Sequence, residues 1–154
     1  MLLLSHGDPE FARLIQDLTP RLAGVPAVQK LMEKYTSGYL DKKRLATAVS
    51  LTAMPMVALG KLDDAAGLQS GDNITIDENY FKFYTDARYP HYRVWVPVTV
   101  LHELGHWGYW KGQQEGNKSD ESGRAHNNHG ENLSPLTRDL QQVVWTLILM
   151  SAPL

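Results

Sequence analysis

Three residues of this chain have the types and the spacing that a hydrolytic metal site requires: His102, Glu103 and His106. Residues four apart in an α-helix lie about 40° from each other around its axis, so both imidazoles can reach one cation, at about 2.0–2.1 Å for zinc. Glu103 lies one step further round, where it can accept a proton from a water molecule whose pKa the metal lowers to about 7. The spacing therefore predicts a metal site with His102 and His106 as ligands and Glu103 as general base.

The competing interpretation is that these residues lie on an ordinary solvent-exposed helix face. The surrounding sequence argues against it, because apolar residues occur throughout the segment: Val98, Val100, Leu101, Leu104 and Trp107. Ionisable groups are uncommon in so apolar a setting unless they are paired or bind a metal. We therefore expect a largely buried helix, beginning near Pro97 and ending near Tyr109 or Trp110.

The stretch from Thr99 to Trp107 resembles the zinc-binding helix of the zincin metallopeptidases, with a threonine three residues before His102 and uncharged residues inside the motif. Gly108 departs from the family's preference for a hydrophobic residue at that position. The metzincin pattern would need glycine at position 109 and histidine at position 112, where this chain has Tyr109 and Gly112. The resemblance is thus to the gluzincin-like group, and it implies zinc-dependent hydrolysis of peptide bonds by metal-activated water.

The third metal ligand is expected downstream of the motif, in the polar stretch from Gly112 to Ser134. Glu131 is the first candidate because it precedes the final predicted helix and lies 25 residues after His106, a plausible return distance in gluzincin-like proteins. Its carboxylate would complete a His, His, Glu zinc site with one open position. A carboxylate that stabilises a helix start is the competing interpretation of Glu131. The other candidates, in order, are His129, His126, Glu121 and Asp120.

A residue that stabilises the oxyanion of the tetrahedral intermediate is also expected in this stretch. If Glu131 is a ligand, one of the two histidines, His126 or His129, could take that catalytic role, with His126 as the first choice. Arg124 and Tyr109 are weaker candidates.

Length and composition disfavour several other classes of protein. The 154 residues are enough for one domain that buries about two thirds of its unfolded surface. A net charge of −2 gives no reason to expect nucleic acid as a partner. The chain has no cysteine, which excludes a thiolate ligand and argues against the peptide deformylases, whose similar motif adds one. Neither a Sec-type signal peptide nor a membrane span is predicted, since the apolar runs at both ends are too short.

Sequence patterns predict helices after the Asp8-Pro9 start, from Pro26 to about Ser37, from about Asp41, and after Ser134-Pro135. In the first of these, Pro20 is expected to close or kink the helix. Residues 59–72 are interpreted as a connection, residues 73–77 as a half-buried strand, and residues 80–84 as a short helix or a second strand. Trp145, in the last helix, is expected to pack rather than to bind a ligand.

We therefore predict an α+β, zincin-like metallopeptidase domain, mostly helical with a small β-sheet next to the motif helix. It would form a single domain over residues 1–154, with residues 1–60 as a helical support layer and residues 73–154 as the catalytic part. The motif and the small size are also similar to metallopeptidase toxin domains of bacterial secretion systems. This narrower resemblance implies an effector that is secreted or delivered without a Sec-type signal, acts on a protein or peptide, and has an immunity protein or secretion apparatus as partner; a cytoplasmic protein is the alternative.

Three other functions fit the sequence less well. A zinc hydrolase could act on a non-protein amide such as a cell-wall link. A zincin-fold binding module would have no need of Glu103. A structural zinc site would have four protein ligands and no open position.

Overall fold

A computed structural model describes residues 1–3, 7–116 and 134–150 of the chain. In chain order, its elements are β1 (Leu2–Leu3), α1 (Pro9–Arg13), a π-helical turn (Leu14–Leu18), α2 (Thr19–Ala23), α3 (Pro26–Tyr35), α4 (Lys42–Ala48), β2 (Met56–Gly60), β3 (Gly67–Ser70), β4 (Asn73–Asp77), α5 (Glu78–Phe81), α6 (Tyr92–Gln114) and α7 (Ser134–Met150). The predicted α+β class with a small sheet is confirmed.

In the described part of the chain, the sheet has four strands in the order β1-β2-β4-β3. The first three of these are parallel, and β3 runs antiparallel to β4 at the sheet edge. Ile74 and Ile76 on β4 are buried, as their alternation predicts. Two expectations need correction: β1 and β2 lie within the first 60 residues, which were expected to be helical, and β3 lies within the predicted connection.

The N-terminal helices begin where their capping residues predict. The Asp8 carboxylate accepts hydrogen bonds from the backbone N–H groups of Glu10 and Phe11, both at 3.0 Å, and Asp41 caps α4 in the same way. Pro20 does not close the first segment, because the chain widens into a π-helical turn before it and continues as α2. Pro20 thus lies in the first turn of α2, where its missing N–H costs least.

The motif helix α6 is longer than predicted. It begins at Tyr92, directly after the Tyr89-Pro90-His91 turn, so Pro97 lies inside the helix rather than at its start. Most of its side chains are buried between the sheet, α2, α3 and α7. All five apolar residues that predicted a buried helix are buried. Helix α7 is also joined to α3, because the Tyr35 hydroxyl of α3 donates to Asp139 of α7 at 3.2 Å.

Gly108 explains how α6 packs against the chain that links α3 and α4. A Cβ atom at this position would lie 2.4 Å from Cδ1 of Leu40, whose side chain is fully buried. The glycine therefore permits a close approach that no larger residue allows. This contact accounts for the departure from the hydrophobic residue that the zincin pattern prefers there.

Candidate metal centre

The motif places three potential ligand groups together on α6. The donor atoms of His102, Glu103 and His106 all lie within 4.8 Å of one another. The centroids of the two imidazole rings are 5.0 Å apart. Both histidines keep partial solvent access, although their neighbours on α6 are buried. A small ion could therefore reach both rings from one side of the helix.

The state of His102 suits metal binding. Its Nδ1 lies 2.8 Å from the hydroxyl oxygen of Thr137 on α7. When Nδ1–H donates to this hydroxyl, Nε2 is the unprotonated nitrogen, the one that can bind a metal, and the ring orientation is fixed. Burial lowers the pKa of His102 to about 4, so the imidazole is neutral at pH 7, as a ligand must be. The residues present thus fit a resident metal ion.

Glu103 is buried, with 6% of its surface exposed. Burial raises the pKa of its carboxyl group to about 7, although the backbone N–H of Gln69 donates a hydrogen bond that favours the charged form. A carboxyl group with such a pKa can both accept and return a proton near neutral pH. Its position and its protonation equilibrium therefore suit a general base.

Strand β3 packs directly against Glu103. A Cβ atom at Gly67 would lie 2.8 Å from Cγ of Glu103 and 2.9 Å from Cγ2 of Thr99, so only glycine permits this approach. The β3–β4 turn is held to the same helix further along. There the indole N–H of Trp107 donates to Asp72 at 2.9 Å, and Lys111 lies 3.7 Å from the same carboxylate. β3 and the turn that follows it thus run beside α6 from Thr99 to Lys111.

Within the described residues, β3 pairs with β4 alone, and it lies beside α6. Backbone hydrogen bonding alternates along an antiparallel pair. The N–H of Asp77 donates to the carbonyl of Ala66 at 2.8 Å, so every second residue from Ala66 onward directs its backbone groups toward β4. The N–H and C=O of Gly67 and Gln69 therefore point away from β4, and the N–H of Gln69 reaches Glu103.

The structure brings together only part of the predicted site. His102, Glu103 and His106 form one cluster. The predicted third ligand Glu131 and the predicted oxyanion residue His126 lie outside the described residues, as do His129, Glu121, Asp120 and Arg124. Tyr109 is described and is 4% exposed. The assignments of Glu131 and His126 therefore stay predictions.

Sequence reasoning missed three residues of the site: Thr137, Gly67 and Gln69. Thr137 follows the buried Leu136 on α7, and no sequence pattern links it to a histidine 35 residues earlier. Residues 67–70 have the sequence Gly-Leu-Gln-Ser, which lacks the alternating β-branched residues that predict a strand. Its Gly and its position shortly before the β4 pattern were the only available signals.

We expect Thr137→Val to weaken metal binding by about 10–100-fold, because it removes the hydroxyl that orients His102 without changing the size of the side chain. The measurement is a competition titration of the metal against a chromogenic chelator. Thr137→Ser should retain most of the affinity. Thr146→Val is the matched control, since Thr146 is exposed on the same helix and its hydroxyl donates only to Gln142 of its own helix. Equal affinities in all variants would contradict this role for Thr137.

The motif cluster on a helix beside an edge strand is the arrangement that a metal-dependent hydrolase requires. Comparison with known families agrees: the family described as metallopeptidase toxin 3 matches residues 8–132. The chain belongs to this family of metallopeptidase toxins. Among curated proteins and solved structures, no match was found. None of the helices in the described ranges combines the length and the hydrophobicity needed to cross a bilayer.

Proposed function

We propose that this domain is a zinc-dependent, zincin-like endopeptidase of the gluzincin-like group. The observation that carries the proposal is the cluster of His102, Glu103 and His106, whose donor atoms lie within 4.8 Å of one another beside β3, the edge strand of the described sheet. Two imidazoles and a carboxylate, with no cysteine in the chain, are a donor set that suits zinc. Glu131 is the proposed third ligand.

Zinc, when bound, supplies Lewis-acid activation of the attacking water and of the scissile carbonyl group. Glu103 accepts the proton from that water and returns it to the leaving amine. Its buried position, with a pKa of about 7, supports both steps. His126 is proposed to stabilise the oxyanion, as a hydrogen-bond donor to the developing charge. Thr137 keeps His102 in the tautomer that binds through Nε2.

The substrate is proposed to be an extended segment of protein that adds to the free edge of β3. Backbone hydrogen bonds to Gly67 and to the carbonyl of Gln69 would align the peptide along α6, with its scissile bond over the histidines. Because such pairing uses backbone groups, this binding mode accepts many sequences and suits a toxin that acts on folded or partly unfolded proteins.

The biological role is proposed to be that of a delivered effector with a dedicated immunity protein. Membership of a metallopeptidase toxin family supports delivery to a target cell. An immunity protein would protect the producing cell, and a secretion apparatus would carry the domain as part of its cargo.

The test of the function is a hydrolysis assay on the purified domain. We expect cleavage of an unfolded protein such as casein, loss of cleavage after removal of metal with a chelator, and recovery on addition of one equivalent of zinc. Peptidoglycan, assayed side by side, should remain intact. Cleavage of peptidoglycan but not of protein would replace the peptidase by a cell-wall amidase.

The third ligand is tested by metal content. Elemental analysis should give about one zinc per chain in the wild type, and Glu131→Ala should lose most of it because the site is reduced to two protein ligands. Glu121→Ala is the matched control and should retain zinc. Loss of zinc in Glu121→Ala but not in Glu131→Ala would move the third ligand to Glu121, and unchanged zinc in both would point to His129 or His126.

A further inference from the structure

Between Val94 and Trp110, helix α6 exposes a single stripe that continues beyond the metal cluster. The residues of this stripe with solvent access follow each other at intervals of three or four: Trp95, Thr99, His102, His106 and Trp110. Such intervals place side chains on one face of a helix. Trp95 is therefore on the same face as the two histidines, two turns nearer to the N-terminus of α6.

Trp95 is part of a group of stacked rings at this end of the stripe. Its indole centroid lies 4.4 Å from the imidazole of His91 and 5.3 Å from the ring of Tyr92. Tyr92 in turn contacts Tyr89 at 6.2 Å. Trp95 and Tyr89 keep 38% and 37% of their surface exposed. We call this group, Tyr89, His91, Tyr92 and Trp95, the aromatic shelf.

The stripe on α6 leads from the metal cluster to the aromatic shelf. β3 runs beside α6, and its first residue, Gly67, contacts Thr99, which lies one turn from Trp95 on the stripe. Seven residues of α-helix separate Trp95 from His102, a rise of about 10 Å. An extended peptide covers that distance with about three residues. A peptide aligned on β3 and over the histidines would thus reach the shelf three or four residues from the scissile bond.

We propose that the aromatic shelf is a specificity subsite, which accepts an aromatic or large aliphatic side chain of the substrate three or four residues from the bond that is cleaved. This proposal rests on the proposed peptidase function. The occupant must be apolar because the surface offered is made of ring faces, and ring-to-ring contact adds affinity beyond the area buried. The rest of the strand edge binds backbone, so the shelf supplies sequence preference to an otherwise permissive site.

The experiment compares cleavage of a degenerate peptide library by zinc-loaded wild type, Trp95→Ala, Trp95→Phe and Trp145→Ala, with products identified by mass spectrometry. Trp145→Ala is the matched control, because Trp145 is 46% exposed on α7; it does not pack as fully as the sequence led us to expect. Zinc content and circular dichroism establish that each variant is folded and loaded.

We expect wild type and Trp145→Ala to enrich aromatic and large aliphatic residues three or four positions from the cleaved bond, on one side of it. Trp95→Ala should lose this enrichment, with roughly a tenfold fall in kcat/KM for peptides that carry the residue and no change for peptides with alanine there. Trp95→Phe should restore most of it. Cleavage without such a preference, or a preference unchanged in Trp95→Ala, would overturn the subsite and leave the peptidase intact. No cleavage of any peptide by zinc-loaded wild type would overturn the peptidase and, with it, this subsite.

Discussion

Glu103→Gln is expected to reduce peptide hydrolysis by about 10²–10⁴-fold while zinc stays bound. Glutamine has the same size and can still accept the hydrogen bond from the N–H of Gln69, so the packing against Gly67 is preserved. It cannot accept a proton from water. The measurements are kcat/KM on an unfolded protein substrate and the zinc content of the same preparation.

Glu103→Gln should lower activity but raise the stability of the metal-free protein at pH 8. The stability measurement therefore serves as an internal control. The pKa of Glu103 is about 7 in the folded protein and 4.5 as a model value, so the folded state binds this proton more tightly than the unfolded state. The resulting stabilisation is complete below pH 4.5 and is lost as the pH rises through 7. At pH 8 the buried carboxylate therefore costs on the order of 3 kcal/mol in the metal-free protein.

Since glutamine carries no charge, metal-free Glu103→Gln should be more stable than metal-free wild type at pH 8, and the difference should shrink toward pH 5. Urea unfolding at the two pH values measures this difference. Glu33→Gln is the control, because Glu33 is exposed on α3 and should show neither effect. Retained hydrolysis in a zinc-loaded Glu103→Gln protein would remove Glu103 as the base, and an inactive variant that is also less stable would indicate damage to the fold.

Gly108→Ala is expected to destabilise the protein by about 1–3 kcal/mol, although alanine is the better helix former. The new methyl group would lie 2.4 Å from Cδ1 of the fully buried Leu40, so either α6 or the chain before α4 must move. Thermal unfolding of the metal-free protein measures the effect. Gly24→Ala is the matched control, because Gly24 has an ordinary φ of −83° and its added Cβ atom would make only van der Waals contacts, the nearest at 3.4 Å.

A double-mutant cycle identifies the contact responsible. Leu40→Ala alone leaves a cavity and costs about 2–5 kcal/mol. In that background, Gly108→Ala should be neutral or stabilising, because the clash is gone and the helix propensity of alanine remains. An equal cost of Gly108→Ala in both backgrounds would mean that Leu40 does not set the requirement for glycine.

The sequence predicted the features of the structure that depend on neighbours in the chain. Asp8 and Asp41 cap helices because a carboxylate needs only the next backbone N–H groups. The cluster of His102, Glu103 and His106 follows from helix geometry alone. The predicted start of α6 was wrong. Pro97 was interpreted as a first-turn residue, whereas tertiary packing holds it inside the helix.

The partners that complete the site are distant in sequence, and local patterns do not contain them. Thr137 meets His102 only because α7 packs against α6. The residues of β3 have little strand propensity of their own. They form a strand because they pair with β4. Gly67 is a glycine because Glu103 lies beneath it. Each of these assignments requires a contact between elements that the sequence does not specify on its own.

In the proposed mechanism, the hydrogen bond from Gln69 to Glu103 means that substrate alignment and proton transfer share one piece of backbone. A displacement of β3 would move the edge that aligns the peptide and the N–H that holds the base at the same time. Substitutions that remove the hydrogen bond between Trp107 and Asp72, further along α6, should therefore change KM and kcat together. An inhibitory protein that contributed a strand of its own to β3 would exclude substrate and isolate Glu103 from water in one step, without any contact to the metal.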